Sequence, residues 1–170
     1  INERGENKIL ICANAFRLTS FQNKELYGFD QCIEVARMAK MKGINILIIF
    51  VIANRNSKNI LCRSLLSKIE IEKLENYIYI IFQSISFVEL IKKCQIVLRP
   101  TLSDGDALTV REALYFNKKV IASDIVNRPQ GTILYKSGDS LDLFDKIIAT
   151  IRQENVELGI ISSQCKKDDY

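Results

Sequence analysis

Short apolar runs alternate along this chain with stretches whose apolar residues recur at helical spacing. Residues 8–13 (KILICA) form the first run and predict a strand. From Tyr27 or Gly28 to about Lys42 the spacing turns helical, with Phe29, Cys32, Ile33, Ala36 and Ala39 on one face and Gly43 as the natural C-cap. Residues 44–53 are apolar without alternation, as in a central strand covered on both faces. Asn54-Arg55-Asn56-Ser57 breaks that run, and residues 59–76 predict an amphipathic, charged helix. A strand over 77–82 and a short helix over 86–93 come next. Ile96-Val97-Leu98, a polar loop and a helix from Ala107 then form one unit. Strands over 120–123 and 132–135 follow, and from Ser140 a helix carries Leu141, Phe144, Ile147, Ile148 and Ile151 on one face.

Strands alternating with helices at this spacing predict an α/β fold: a doubly wound parallel sheet, Rossmann-like, with helices on both faces. Residues 1–153 are read as one α/β domain and residues 154–170 as a partly disordered C-terminal tail; residues 2–7 are read as loose. The start at Ile1 raises the expectation that the chain was cut from something longer. No GxGxxG follows the first strand and no P-loop occurs, which disfavours a dinucleotide dehydrogenase or an NTPase.

Composition narrows the chemistry. No apolar run reaches 18 residues, so no membrane span is predicted, and no signal peptide is seen. The five cysteines, Cys12, Cys32, Cys62, Cys94 and Cys165, are scattered without metal-ligand or CxxC spacing and read as reduced, buried thiols of a cytoplasmic protein. Histidine is absent, which excludes His-based general bases, Ser-His or Cys-His nucleophiles and the commonest zinc sites. The net charge of +4 is mild and interspersed, without a basic stripe, so no nucleic-acid partner is expected.

Candidate chemistry gathers between Gln95 and Leu114 (QIVLRPTLSDGDALTVREAL). A loop between strand and helix lies at the carboxyl edge of a parallel sheet, where open α/β sheets bind ligands. Gly105 lets the backbone approach a ligand, and Gly105, Asp106, Ala107 and Leu108 form an expected N–H cradle for phosphate. Asp104 and Asp106 are both candidate N-caps. On the helix, Ala107, Val110, Ala113 and Leu114 share an arc of about 120°, and Glu112 lies opposite it, near Leu108. Asp104 and Glu112, with seven residues between them, place one carboxylate before the helix and one inside it. A carboxylate accepting both hydroxyls of a cis-diol, beside a phosphate cradle, would suit a nucleotide sugar.

Pro100-Thr101-Leu102-Ser103-Asp104-Gly105, then Arg111-Glu112-Ala113-Leu114 and the strand Val120-Ile121-Ala122-Ser123-Asp124, resemble the C-terminal half of retaining glycosyltransferases of family 4 (glycosyl transferases group 1). The order of elements is similar over roughly residues 8–153. The resemblance implies the C-terminal half of a GT-B fold that binds a nucleoside-diphosphate sugar as donor, with no cofactor and no metal. It implies that Glu112 accepts the ribose hydroxyls and that Asp104, where the family usually has glutamate, meets the donor sugar or the reacting face. An Arg and a Lys after the first strand neutralise the diphosphate in the family; the nearest cations here are Arg17 and Lys24, and Tyr27 stands where a Lys usually precedes the Gly. Arg99 precedes Pro100 and could face the loop or solvent; the turn at Asn127-Arg128-Pro129-Gln130-Gly131 approaches the donor base or the second domain in the family. Also implied are an N-terminal acceptor-binding domain outside this chain, a role in surface polysaccharide or glycoconjugate assembly, and a cytoplasmic location with peripheral contact at the inner face of the membrane. Two rival readings stand beside it. One is a sugar-nucleotide epimerase, disfavoured by the lack of histidine; the other is a noncatalytic nucleotide-binding or interaction domain of flavodoxin-like type.

Overall fold

The computed structural model describes residues 7–54 and 59–165, the last stretch, 154–165, by its backbone alone. In chain order the elements are β1 (Ile9–Ala15), β2 (Ser20–Phe21), β3 (Lys24–Glu25), α1 (Phe29–Lys42), β4 (Ile46–Ile52), α2 (Ile60–Ile71), β5 (Ile78–Ile81), α3 (Phe87–Lys93), β6 (Ile96–Arg99), α4 (Leu108–Tyr115), β7 (Lys119–Ser123), β8 (Thr132–Tyr135) and α5 (Ser140–Cys165). The readings made for residues 2–6, 55–57 and 166–170 lie outside the described residues.

Six strands form one parallel sheet in the order β5-β4-β1-β6-β7-β8, and β2 and β3 pair separately as an antiparallel hairpin. Successive side chains of a strand point to opposite faces, and the sheet is buried on both. Ile46, Ile48, Phe50 and Ile52 of β4 enter one core with α1, α2 and α5, while Leu47, Ile49 and Val51 enter a second with α3 and α4. That is why residues 44–53 show no polar alternation. Burial of Phe29, Cys32, Ile33, Ala36 and Ala39 follows the predicted face of α1, and Gly43 closes the helix at φ 64°.

The chain leaves β1 toward β4 and leaves β6 toward β7, so the strand order reverses between β1 and β6. A crevice opens at the carboxyl end of such a switch point. Flavodoxin-type sheets have a different strand order, so the flavodoxin-like rival does not match in topology.

Several elements differ from the sequence reading. The hairpin β2–β3 falls between the first strand and the first helix, where the sequence predicted no element; its turn residues Gln22 and Asn23 both have positive φ, the geometry of a tight I′ hairpin turn. Helix α2 stops at Ile71, after which Lys73 turns left-handed and Leu74 is buried. Helix α5 runs on to Cys165, through most of the stretch read as a tail, and Leu141 is 60% exposed while Leu143 is buried. Cys12, Cys32, Cys62 and Cys94 are buried and joined by no disulfide; the side chain of Cys165 lies outside the described residues. No helix among the described residues is long and apolar enough to cross a membrane.

Candidate functional site

The loop from Arg99 to Ala107 crosses the carboxyl edge of the sheet beside the switch point and ends at the N-terminus of α4. Ala107 is the N-cap and no side chain caps the helix. The two expected caps are engaged elsewhere. Asp106 pairs with Arg111, whose Nε lies 2.8 and 3.0 Å from the two carboxylate oxygens. Asp104 takes a bidentate pair from Arg99, each bond 2.9 Å, and a 2.8 Å bond from Nη1 of Arg128. Burial alone would raise the pKa of Asp104, but bonds from the two guanidiniums outweigh it and hold it down at about 2. The first-turn N–H groups of α4 therefore have no side-chain acceptor, and a short helix leaves such groups to water or a ligand. A Cβ added at Gly105 would meet nothing within 4 Å, so the space above the loop is open.

A groove of about 550 Å³ lies between this loop and the turn after β7, lined by Gly105, Asp106, Arg111, Val126, Asn127, Arg128 and Pro129. Gly105 and Asp106 of the expected cradle thus face the 126–129 turn across open space. Ala107, Leu108 and Glu112 belong to α4 or its cap but do not line that groove. Glu112 is half-buried, and its carboxylate has no hydrogen-bond or ion-pair partner among the described residues. It stands apart from Val110 and Ala113, the buried positions of the helix.

Neither of the two expected cations lines this groove. Arg17 follows β1, is exposed and makes no ion pair among the described residues. Lys24, on β3, lines a separate cavity of about 210 Å³ with Asp30, Glu34, Lys68, Leu102 and Ser140 among its walls. The structure therefore brings Gly105 and Asp106 together with Arg111, Asn127 and Arg128, and it does not bring Lys24 into the same cavity. Leu102 donates its N–H to the carbonyl of Leu26 at 2.9 Å, tying the hairpin to the loop between the two cavities. Among the described residues no group of three or more His, Cys, Asp or Glu side chains could hold a metal ion.

Sequence reasoning assigned no role to Arg99 and Arg111 and only a peripheral contact to Arg128. The one available signal was position: an arginine ending a strand and another in the loop after the neighbouring parallel strand, with an aspartate between them.

Neither a protein-family model nor a curated protein matches the sequence of this chain. Solved structures do match its fold. A glycosyltransferase from Rickettsia africae superposes with a TM-score of 0.70 at 20% identity, over 86% of this chain and 38% of that one. HepE from Anabaena, solved with UDP and glucose, gives a TM-score of 0.73 at 17% identity, over 88% of this chain and 40% of that one. The C-terminal domain of a glycosyl transferase group 1 family protein (LpcC) from Francisella tularensis gives 0.66 at 18% identity, over 84% and 74%. This chain spans about two fifths of the first two proteins. Its fold is the Rossmann-like α/β fold seen in GT-B glycosyltransferases, with a six-stranded parallel sheet between two layers of helices.

Proposed function

We propose that this chain is the donor-binding half of a retaining glycosyltransferase that uses a nucleoside-diphosphate sugar. The observation that carries the reading is the uncapped N-terminus of α4, whose two preceding aspartates are both taken by arginines. That leaves first-turn N–H groups open to an anion on the same helix that presents the unpartnered carboxylate of Glu112. In this reading the diphosphate lies on the backbone N–H groups of Asp106, Ala107 and Leu108, next to Gly105, whose own N–H is taken by Asp104 and so drops out of the expected cradle, and Glu112 accepts the two ribose hydroxyls. Arg17 supplies fixed positive charge as the diphosphate leaves, with Lys24 acting at longer range from the neighbouring cavity; such electrostatic stabilisation is usually the largest contribution to catalysis of this kind. HepE, which shares the fold, has been solved with UDP-glucose, which supports the ligand class. The acceptor would be held by a second domain, and the product would enter a surface polysaccharide or glycoconjugate.

Calorimetric titration of the chain with UDP, GDP and ADP, and with the matching nucleosides, tests the reading. At least one diphosphate should bind, and Glu112→Ala should weaken it by about 1.5–3 kcal/mol, roughly 10- to 150-fold. The melting temperature should stay nearly constant, because Glu112 is off the buried face of α4. Unchanged affinity in Glu112→Ala would remove the ribose assignment, and no binding of any diphosphate would remove the proposal.

A further inference from the structure

We propose that Asp104 is a positioning residue whose carboxylate ties the two walls of the groove at Gly105 together through Arg99 and Arg128, setting the spacing at which a diphosphate is held. The inference rests on the donor-binding reading, and it moves Asp104 from meeting the sugar to acting through its neighbours.

Every direction around this carboxylate is occupied. Oδ1 accepts from Arg99 Nη2 at 2.9 Å and from the Gly105 N–H at 3.1 Å. Oδ2 accepts from Arg99 Nε at 2.9 Å, Arg128 Nη1 at 2.8 Å and the Thr101 hydroxyl at 3.2 Å. Five donors meet a group with about four lone-pair sites, so no acceptor capacity is left for a sugar hydroxyl. The side chain is 7% exposed, Arg99 is 15% exposed and Arg128 only 2%.

The partners belong to different pieces of the site. Gly105 opens the phosphate cradle, and its peptide is fixed by the same oxygen that binds Arg99. Arg128 belongs to the opposite wall and is anchored a second time, donating to the Ser123 carbonyl at 3.2 Å and the Ser123 hydroxyl at 3.3 Å. That hydroxyl donates to the Thr101 carbonyl at 2.7 Å, closing the circuit between the ends of β6 and β7. Arg99 lies over the ring of Tyr27, 5.8 Å from its centroid, which carries the tie to the short segment between β3 and α1. Replacing Asp104 by an uncharged group would leave two nearly buried guanidiniums facing each other without an anion. A longer acid would push Arg128 away by about one C–C bond, roughly 1.5 Å. Misplacement near 1 Å is enough to matter for groups that orient a ligand.

The test is a double-mutant cycle read on ligand selectivity. Affinities for UDP, GDP and ADP and their nucleosides are measured in the wild-type chain, Asp104→Asn, Arg128→Gln and the double variant. Each single change should cost about tenfold in diphosphate affinity and under twofold in nucleoside affinity, so the ratio between the two falls. The double variant should lose no more than either single one, because both break the same tie. Asp104→Glu, which keeps the charge, should not restore the ratio. Additive losses with the ratio unchanged would overturn the proposal, as would recovery in Asp104→Glu, since the acid itself would then meet the ligand. If Asp104→Asn does not fold, Arg128→Lys carries the same comparison, because an ammonium cannot span Asp104 and both Ser123 oxygens. Wild-type binding with unaltered variants sinks this inference alone, whereas a wild-type chain that binds no diphosphate sinks the donor-binding reading and this inference with it.

Discussion

Gly28 and Pro100 meet with no room for a side chain between them: a Cβ built at Gly28 would stand 2.2 Å from the Pro100 carbonyl oxygen and 2.6 Å from the Pro100 Cβ. Gly28 is also the N-cap of α1, in the left-handed region at φ 73°. This contact seats α1 against the end of β6, across the switch point. It is reinforced by Gln31, whose amide donates to the same Pro100 carbonyl at 3.0 Å and accepts from the Tyr135 hydroxyl at 2.8 Å.

Gly28→Ala is therefore expected to be severe for so small a change. The left-handed conformation costs a residue with Cβ about 1–2 kcal/mol, and forcing a methyl into occupied space costs about 1–3 kcal/mol more. For a chain of this size a loss of about 3 kcal/mol lowers the melting temperature by roughly 6–12 °C. Gly43→Ala is the control: it has a similar φ of 64° but nothing within 4 Å of its Cβ, so it should show the conformational part alone. Equal losses in the two variants would mean that the Pro100 contact relaxes freely.

A second prediction concerns pH. Glu25 is 1% exposed, with Oε2 accepting from the Phe29 N–H at 2.7 Å and Oε1 buried without a partner. Burial drives its carboxyl up to about 7, against the opposing bonds from the Phe29 and Tyr27 N–H groups. Its folded value lies above the unfolded one, so the folded chain holds more protons between about pH 4.5 and 7, and stability falls as pH rises through that window. Asp30, also raised by burial, acts in the same direction. Asp104, held at about 2, has the opposite sign: its stabilisation is present above about pH 4 and is lost as pH falls toward 2. At about 1.4 kcal/mol per pH unit, Glu25 should cost about 3 kcal/mol by pH 8 and Asp104 about 2 kcal/mol by pH 2. Urea unfolding should show maximal stability near pH 4–5, and Glu25→Gln should flatten the decline toward pH 8. A wild-type stability that rises from pH 5 to 8 would contradict the assignment of Glu25 as the controlling group.

The strands and the order of helices were legible because burial writes itself into sequence. Residues 46–52 are apolar at every position since alternate side chains enter two cores, and Gly43 marks a helix end by its φ. The hairpin was not legible, because Ser20, Phe21, Lys24 and Glu25 are too few to show a period. The partners of Asp104 were hidden for another reason. Before a helix an aspartate reads as a cap, but Arg128 reaches it only because β6 and β7 pair in parallel, with Arg99 opposite Ala122. That register brings residues 24 positions apart into a 2.8 Å contact, and no local pattern encodes it.

The remaining prediction separates Arg17 from Lys24. Both are expected near a leaving diphosphate, but their surroundings differ. Lys24 lines the smaller cavity, whose walls include Asp30 and Glu34 but not Gly105, so ligand contact would need it to move out of that cavity. Arg17 is exposed at the end of β1, beside the switch point, with no ion pair among the described residues to give up. A charge-assisted bond to phosphate is worth about 1.5–3 kcal/mol, or tenfold and more, whereas a cation that is only nearby in water contributes about 0.2–1 kcal/mol, under about sixfold. Arg17→Ala should therefore weaken diphosphate binding about tenfold relative to nucleoside binding, and Lys24→Ala less than sixfold. Salt distinguishes the two causes as well, since screening removes the effect of a distant charge and spares a contact. In 0.5 M salt the Lys24→Ala effect should vanish while most of the Arg17→Ala effect remains. The reverse ranking would show that Lys24 crosses to the groove when the ligand arrives, and losses below twofold in both variants would place the diphosphate away from the end of β1.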